Sequence, residues 1–310
     1  MERLGGSALG AVTVTHDGSP QEGPLGALQE LITDVTSADR HAPFGEHVLL
    51  TLQGQRQVNH AKIASHIDGR LAGYLVLCES LGATWCAEFV TRPADRSQGV
   101  GTALLQAAVI HVASHGGGTL PTWAYSSGAP DAFASRLGMW QCRAVSYQTR
   151  ELTELPAVSS PAGTGLRHLR VDELTQWLEL SNWAFAGHPE NGNWSHDDLS
   201  WRIAAPWTAL DRFVVLAEQP SDALLGGVWT KLAPGSSDGE LYVVAVRPDR
   251  AGQGIGRVLI AQSLRVLARA GMTTASLYVD TTNTPALALY RGAGFSSQHT
   301  DRCFEMNVTG

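Results

Sequence analysis

Gly254 and Gly256 stand in the run R-P-D-R-A-G-Q-G-I-G that begins at Arg247, behind an apolar stretch and ahead of a segment with helical apolar spacing. Glycines there permit positive φ and close approach of the backbone to a ligand. The helix that follows opens with unpaired N–H groups and a partial positive charge. Together these make a phosphate site. The device occurs twice, because R-P-A-D-R-S-Q-G-V-G begins at Arg92 and puts Gly99 and Gly101 where the later copy has Gly254 and Gly256. A spacing of 155 residues, half of the 310, also superposes Pro93 on Pro248, Leu104 on Leu259, Ala113 on Ala268 and Gly116 on Gly271. The chain therefore reads as a tandem repeat of two domains of equal length.

Other readings of these residues fail on their letters. No G-x-x-x-x-G-K-[ST] run occurs, and a dinucleotide fingerprint starting at Gly254 needs a glycine where Leu259 stands. The stretch Ser126, Ser127, Gly128 lacks the G-x-S-x-G elbow of a serine hydrolase. His111 and His115 have i,i+4 spacing on an expected helix, but no third ligand accompanies them and no metal is assigned.

The elements that must position the later glycine loop follow from apolar periodicity. Helices are expected at 171–185, 196–204, 256–269 and 284–291, with a loop at 186–193. Strands are expected at 212–218, 224–232, 240–246, 275–280 and near 302–308. The first half repeats this order, with helices at 25–36, near 46–57 and at 101–115, and strands at 62–67, 72–79 and 84–91. Residues 151–165 carry Pro, Ser and Gly without apolar periodicity and read as a linker between domains at 1–150 and 166–310.

With 44% hydrophobic and 16% charged residues the chain can fill two ordinary cores, and no apolar run reaches the ~18 residues of a membrane span. A net charge of −7 without a basic run argues against a nucleic-acid partner. The N-terminal residues show no apolar signal region, and Cys78, Cys86, Cys142 and Cys303 show no C-x-x-C spacing. A cytoplasmic protein with buried thiols and no disulfides is expected.

The loop, its helix and strand, and the later Asn283, Tyr290, Gly294 and Phe295 resemble the GNAT acyltransferase superfamily. The resemblance implies an α+β fold of two tandem domains, each with a mixed, mostly antiparallel central sheet flanked by helices. It implies acetyl-CoA as cosubstrate, with Val244, Ala245 and Val246 along the pantetheine arm. Ala251, Gly252, Gln253, Gly254, Ile255, Gly256 and Arg257 would surround the pyrophosphate, and Asn283 would face the cofactor. Ala251 departs from the family, which commonly has Gln or Arg there, but the binding groups are mainly backbone. In the first copy the corresponding residues are Phe89, Val90, Thr91, Ser97, Gln98, Gly99, Val100, Gly101 and Thr102.

A narrower resemblance covers nearly the whole chain. H-A-P-F-G-E from His41, A-F-A-G-H-P-E-N-G-N-W from Ala184, W-T-K from Trp229 and G-E-L-Y-V from Gly239 are similar to the mycothiol synthase family. That family acetylates the cysteinyl amine of cysteinyl-glucosaminyl-inositol. Its substrate contacts fall on Glu46, Glu190, Lys231, Glu240 and Tyr278, with Glu46 the first half's contribution to the substrate cleft. Carboxylates and donors suit a hydroxyl-rich ligand carrying an ammonium. A related amine, a protein N-terminus or a non-catalytic acyl-CoA sensor are the alternatives, and a monomer is expected.

The chemistry separates the two copies. An ammonium must lose a proton before it attacks a thioester, and Glu240, opening the strand into the glycine loop, suits a general base. Tyr290 matches the superfamily's general acid, which protonates the departing thiolate. The first copy has Trp85 in place of Glu240, and Ala134 or Ser135 in place of Tyr290. Catalysis is therefore expected in the second domain alone, with the first still able to bind acetyl-CoA. Trp194 and Trp229 are singled out as cleft-lining aromatics, and His188 as a loop histidine that either titrates or caps its loop. The second domain holds no cysteine except Cys303, late in the last strand, which argues against a covalent acetyl-cysteine route.

Overall fold

The structure is a computed structural model describing residues 12–16, 25–39, 41–52, 54, 59–80, 83–125, 129–157, 159–188, 192–233 and 235–310. Contacts divide the chain into two units, one of residues 1–144 with 301–310 and one of residues 145–300. The sequence division at 150–151 and this one differ because two strands change units. The strand β6 (Trp140–Glu151) leaves the first unit at Ala144, and β12 (Ser296–Thr309) returns to it at Asp301.

In the first unit β1 (Thr13–His16), β2 (His60–Ile67), β3 (Arg70–Ser80), β4 (Thr84–Thr91) and β5 (Gly117–Ala124) lie in that order, followed by β12. Among the described residues of this unit, β4 and β5 are the one parallel pair. Helix α3 (Val100–Ser114) buries Leu104, Leu105, Ala108 and Val112 against Leu75, Leu77 and Ala87 of the sheet. Helices α1 (Leu25–Asp39) and α2 (Glu46–Leu52) supply Leu31, Val35 and Val48 to a second cluster with Tyr74, Val76 and Val90. The remaining helix, α4 (Ala129–Arg136), packs Ala134 into the α3 cluster.

The second unit repeats the plan: β6, β11 (Thr274–Asp280), β10 (Asp238–Val246), β9 (Leu224–Leu232), β8 (Phe213–Glu218) and β7 (Thr164–His168) in that order, with β10 and β11 the parallel pair. Helix α7 (Ile255–Arg269) is amphipathic for this sheet. Its Ile255, Val258, Leu259, Leu264 and Leu267 are buried with Leu241, Leu277 and Val228. Helices α5 (Leu174–Ala184) and α6 (His196–Ala204) bring Trp177, Leu178 and Leu199 into a cluster with Phe213, Trp229, Val243 and Ala245. Ser195 starts α6 with a capping box, its Oγ accepting from Asp198 N at 3.1 Å while Asp198 Oδ2 accepts from Ser195 N at 3.0 Å.

The expected elements of the second half occur with small changes of boundary. The helix expected at 171–185 opens with a 3₁₀ turn, Val171–Glu173, before α5, and the last strand is longer than its expected core. Elements the periodicity does not reveal are β1, β5, α4, β6 and β7. Gly117, Gly118 and Pro121 give β5 the composition of a turn.

Candidate active site

Strands β10 and β11 define the place. Their registered pairs are Asp238 with Thr274, Gly239 with Ala275 and Glu240 with Ser276, and pairing among the described residues stops there although the strands run on to Val246 and Asp280. Beyond Glu240 the two edges separate and leave strand amides and carbonyls facing a gap, which suits an extended ligand chain. Val244, Ala245 and Val246 stand on that stretch. On its other side β10 pairs with β9, and the register slips at a bulge: Leu241 faces Thr230 and Val243 faces Trp229, so Tyr242 is the extra residue.

The bulge changes which side chains share a face. Leu241 packs with the α7 cluster, as do Val244 and Val246, whereas Val243 and Ala245 pack with α5. Glu240 shares the α5 side with Tyr242 and with Lys231, its direct partner on β9. Glu240 is half-buried.

After Val246 a 3₁₀ turn, Pro248–Arg250, leads into the glycine loop. Gly252 and Gly254 have φ of 78° and 80°, and Gly254 is the left-handed N-cap of α7. Gly256 lies where a Cβ would come within 2.9 Å of Leu289 Cδ2. Ala251, Gln253 and Arg257 are exposed, while Ile255 is buried and anchors the helix start. The result is a shallow cradle of backbone N–H groups at the positive end of a 15-residue helix.

The first unit has the same loop. Its β4 and β5 pair at Thr84 with Thr119 and Ala87 with Thr122, so Phe89, Val90 and Thr91 lie beyond the last registered pair. Ser97 adopts φ of 63° where the second copy has Gly252, and Gly99, φ 88°, caps α3. Val100 is buried. Gln98 Nε2 donates to Ala94 O at 3.1 Å, and Arg96 makes a two-pronged bond to Asp39 at 2.8 and 2.6 Å. Gly101 packs near Phe89 and Phe133, and Thr102 follows it into α3.

Tyr290 lies on α8 (Thr284–Gly292), 7% exposed, and packs with α7 and with Phe295, ring centroids 6.0 Å apart. Burial pushes its phenol well above the ordinary value, so it holds its proton at neutral pH. Asn283 is the exposed N-cap of α8, and its Oδ1 accepts from Ala286 N at 3.2 Å. At the matching sites of the first unit, Trp85 is 2% exposed in the core and lies edge-on to His111 and His115, and Ala134 is buried. Those two histidine rings stack at 4.2 Å, and among the described residues no group of three His, Cys, Asp or Glu is arranged for a metal.

The expected substrate residues are distributed as follows. Lys231 Nζ sits over the rings of Trp207 and Tyr242, 4.7 and 5.2 Å from their centroids. Tyr278 is 51% exposed on β11, its ring 4.9 Å from that of Tyr147. Glu46 opens α2 in the first unit, beside Gly45, whose N–H donates to buried Glu88 Oε2 at 2.6 Å, a carboxylate that also accepts from Tyr125 Oη. Glu190 lies outside the described residues, as do Ser126, Ser127 and Gly128.

The structure corrects the cleft-lining reading of two tryptophans, the domain of Cys303 and the burial of two thiols, and gives His188 a contact in its loop. Trp194 and Trp229 are 7% and 0% exposed, core residues packed with Phe213, Trp207 and Tyr242, and do not line an open cleft. His188 turns edge-on to Phe185 within its own loop. Cys303 belongs to the first unit, and burial raises its thiol far above the ordinary value, which suppresses the nucleophilic thiolate. Cys78 is buried as well, but Cys86 is half-buried and Cys142 exposed.

The sequence gives no direct sign of Arg202. This α6 residue is 3% exposed, donates from Nε to Tyr242 Oη at 2.9 Å and from Nη1 to Asp198 O at 2.9 Å, and lies over the Trp194 ring at 4.1 Å. Nor does it single out Asp238, whose Oδ2 accepts from Ser276 Oγ at 2.7 Å and Tyr147 Oη at 3.4 Å. Two alternating carboxylates, Asp238 and Glu240, are the one hint of that network legible in the letters.

Known proteins resemble this chain in sequence and in fold. Residues 174–295 match the Acetyltransferase (GNAT) family. A mycothiol acetyltransferase of Mycobacteroides abscessus is 35% identical over 288 residues, covering 89% of this chain and 94% of the relative. Another, from Thermomonospora curvata, is 36% identical over 90% of this chain and 93% of its own. Among solved structures, a GCN5-related N-acetyltransferase from Sphaerobacter thermophilus superposes with a TM-score of 0.73 at 20% identity, covering 96% of both chains. A tandem GNAT protein from the clavulanic acid biosynthesis pathway gives 0.73 at 16% identity, covering 96% of this chain and 99% of the other.

Proposed function

The chain belongs to the mycothiol acetyltransferase family, acetyl-CoA-dependent acyltransferases of tandem GNAT architecture, and on that premise we propose that the second unit carries the reaction with Glu240 as base and Tyr290 as acid. The acceptor is the cysteinyl amine of cysteinyl-glucosaminyl-inositol. The observation that carries the assignment is the coincidence at one point of β10. The strand separates from β11, its bulge turns the face, and Glu240 stands opposite Lys231.

Acetyl-CoA lies along the gap, its pyrophosphate against the loop from Ala251 to Arg257 on the amides that follow Ala251, whose own N–H donates to Pro248 O at 3.3 Å, and its pantetheine arm beside Val244, Ala245 and Val246. Glu240 takes the proton from the ammonium, directly or through a water, and the free amine attacks the thioester carbonyl. Strand amides of β10 hold the oxyanion. A C–N bond forms, the C–S bond breaks, the phenol proton of Tyr290 passes to the departing sulfur, and the second nitrogen proton leaves through solvent, from which the phenolate is reprotonated. A raised phenol pKa keeps the proton in place but weakens the donor, which favours transfer concerted with C–S cleavage. Lys231, Tyr278 and Glu190 orient the sugar and amine, and Asn283 holds α8, hence Tyr290, through its cap. The first unit keeps the cradle without base or acid, which supports acyl-CoA binding there without turnover.

The test incubates the purified protein with acetyl-CoA and cysteinyl-glucosaminyl-inositol and locates the new acetyl group by fragment mass. An acetyl on the cysteinyl nitrogen is expected. Absence of product while acetyl-CoA still raises the thermal midpoint would move the acceptor to another amine.

A further inference from the structure

We propose that Arg202 and Tyr242 form a positioning couple that locks the β10 bulge and thereby fixes the face on which Glu240 presents its carboxylate; the inference rests on Glu240 being the base. Side chains alternate along a strand, so one extra residue decides which residues on either side of it share a face. Here the extra residue is Tyr242. With it, Glu240 lies on the α5 side together with Val243 and Ala245. With the ladder closed by one residue, Glu240 would share its face with Val244 and Val246, which now pack toward α7. The parity of the bulge is thus the relation between the base and the strand beside which the acyl group lies.

A bulged residue is outside the regular ladder, so its side chain must hold it. Tyr242 is held from three directions. Its hydroxyl accepts from Arg202 Nε at 2.9 Å, its ring meets Trp207 at 5.1 Å and Trp229 at 5.7 Å, and Lys231 Nζ lies 5.2 Å from its centroid. Arg202 is itself fixed by the carbonyl of Asp198 and by the Trp194 face. A buried guanidinium is costly unless its donors are used. Serving the bulge from α6, a helix that contributes no expected catalytic group, is a specific use of that cost. The same ring supports Lys231, the cross-strand partner of Glu240, so the couple sets both members of the pair.

The experiment compares Tyr242→Phe, Arg202→Lys and Arg202→Met in the full chain, singly and combined with Glu240→Gln. It reads kcat and KM for both substrates per folded molecule, together with the kcat pH profile. Tyr242→Phe removes one hydroxyl and leaves the aromatic packing, so folding survives if Arg202→Met does not. A misplaced base costs up to ~100-fold in rate. Tyr242→Phe is expected to lower kcat about tenfold, with the acetyl-CoA KM within about twofold and the acidic limb of the pH profile displaced. Arg202→Lys recovers part of what Arg202→Met loses. In the Glu240→Gln background Tyr242→Phe adds little further loss, because the group it positions is gone. Unchanged kcat and pH profile in Tyr242→Phe, or full additivity with Glu240→Gln, would overturn the couple. A Glu240→Gln enzyme with wild-type kcat would instead overturn the base assignment, a distinct outcome.

Discussion

Gly254→Ala is a substitution whose effect can be worked out in advance. Gly254 has φ of 80° and ψ of 0°, and a Cβ added there meets nothing within 4 Å. The cost is therefore backbone strain without a clash, roughly 1–2 kcal/mol for an L residue held in the left-handed region. If the loop keeps its shape, that energy is lost from folding, and at ~2–4 °C per kcal/mol the thermal midpoint falls by about 2–8 °C while the acetyl-CoA KM stays put. If the loop relaxes in the free protein, the midpoint stays and acetyl-CoA binding weakens by about 5–30-fold, since about 1.4 kcal/mol is tenfold. The two readouts share one quantity. Gly99→Ala is the internal control, because Gly99 has φ of 88° and equally open surroundings. It is expected to carry the same strain with kcat unchanged. Gly252→Ser is expected to be milder than Gly254→Ala, since the first copy already holds Ser97 at φ of 63° in that place. Differential scanning fluorimetry and steady-state kinetics decide. If Gly99→Ala lowers kcat or raises the acetyl-CoA KM of turnover while Gly254→Ala does not, the assignment of chemistry to the second unit is wrong; if Gly254→Ala moves neither the midpoint nor KM, the left-handed loop is not the working conformation.

Tyr290→Phe is expected to lower kcat by about 10²–10³-fold with the acetyl-CoA dissociation constant little changed, measured by titration calorimetry. Lys231→Met retains the stem over Trp207 and Tyr242 and removes the ammonium, so the acceptor KM is expected to rise about tenfold while that of acetyl-CoA holds. Tyr125 and Tyr290 both have phenols raised by burial, so above the ordinary value of 10 the unfolded chain loses protons that the folded chain keeps. Stability then falls as pH climbs through and above 10, and Tyr290→Phe flattens part of that fall in urea titrations between neutral and strongly alkaline pH. Leu259→Ala removes a side chain with 0% exposure beneath the second sheet and is expected to destabilise the protein by about 2–5 kcal/mol in the same titrations.

Much of the second unit was legible because its apolar periodicity is strong: α6 and β9 occur at 196–204 and 224–232 as expected, and α7 begins one residue before 256. The repeat itself exposed the loop, its glycines and the missing Glu240 and Tyr290 equivalents. What failed to show were features set by partners distant in sequence. The units exchange strands because β12 finds its ladder on β5, with Cys303 facing Trp123, and β6 finds its own on β11, with Tyr147 facing Tyr278. Periodicity carries no information about which edge a strand chooses. Trp194 and Trp229 looked available for a cleft because tryptophan count does not distinguish a stacked core from a lining. Arg202 was invisible for the opposite reason, an ordinary surface residue of an amphipathic helix in sequence whose burial depends on Tyr242, 40 residues away. The bulge at Tyr242 had no glycine to announce it.

The role of Glu240 is tested most directly by single-turnover acetyl transfer by wild type and Glu240→Gln at saturating acetyl-CoA and cysteinyl-glucosaminyl-inositol, followed across pH, with acetyl-CoA binding measured on the same samples. Glu240→Gln is expected to lose about 10²–10⁴-fold in the transfer rate and the acidic limb of its pH profile, with acetyl-CoA affinity unchanged. Transfer at the wild-type rate with the same pH profile would contradict that role, and would remove Glu240 from the chemistry.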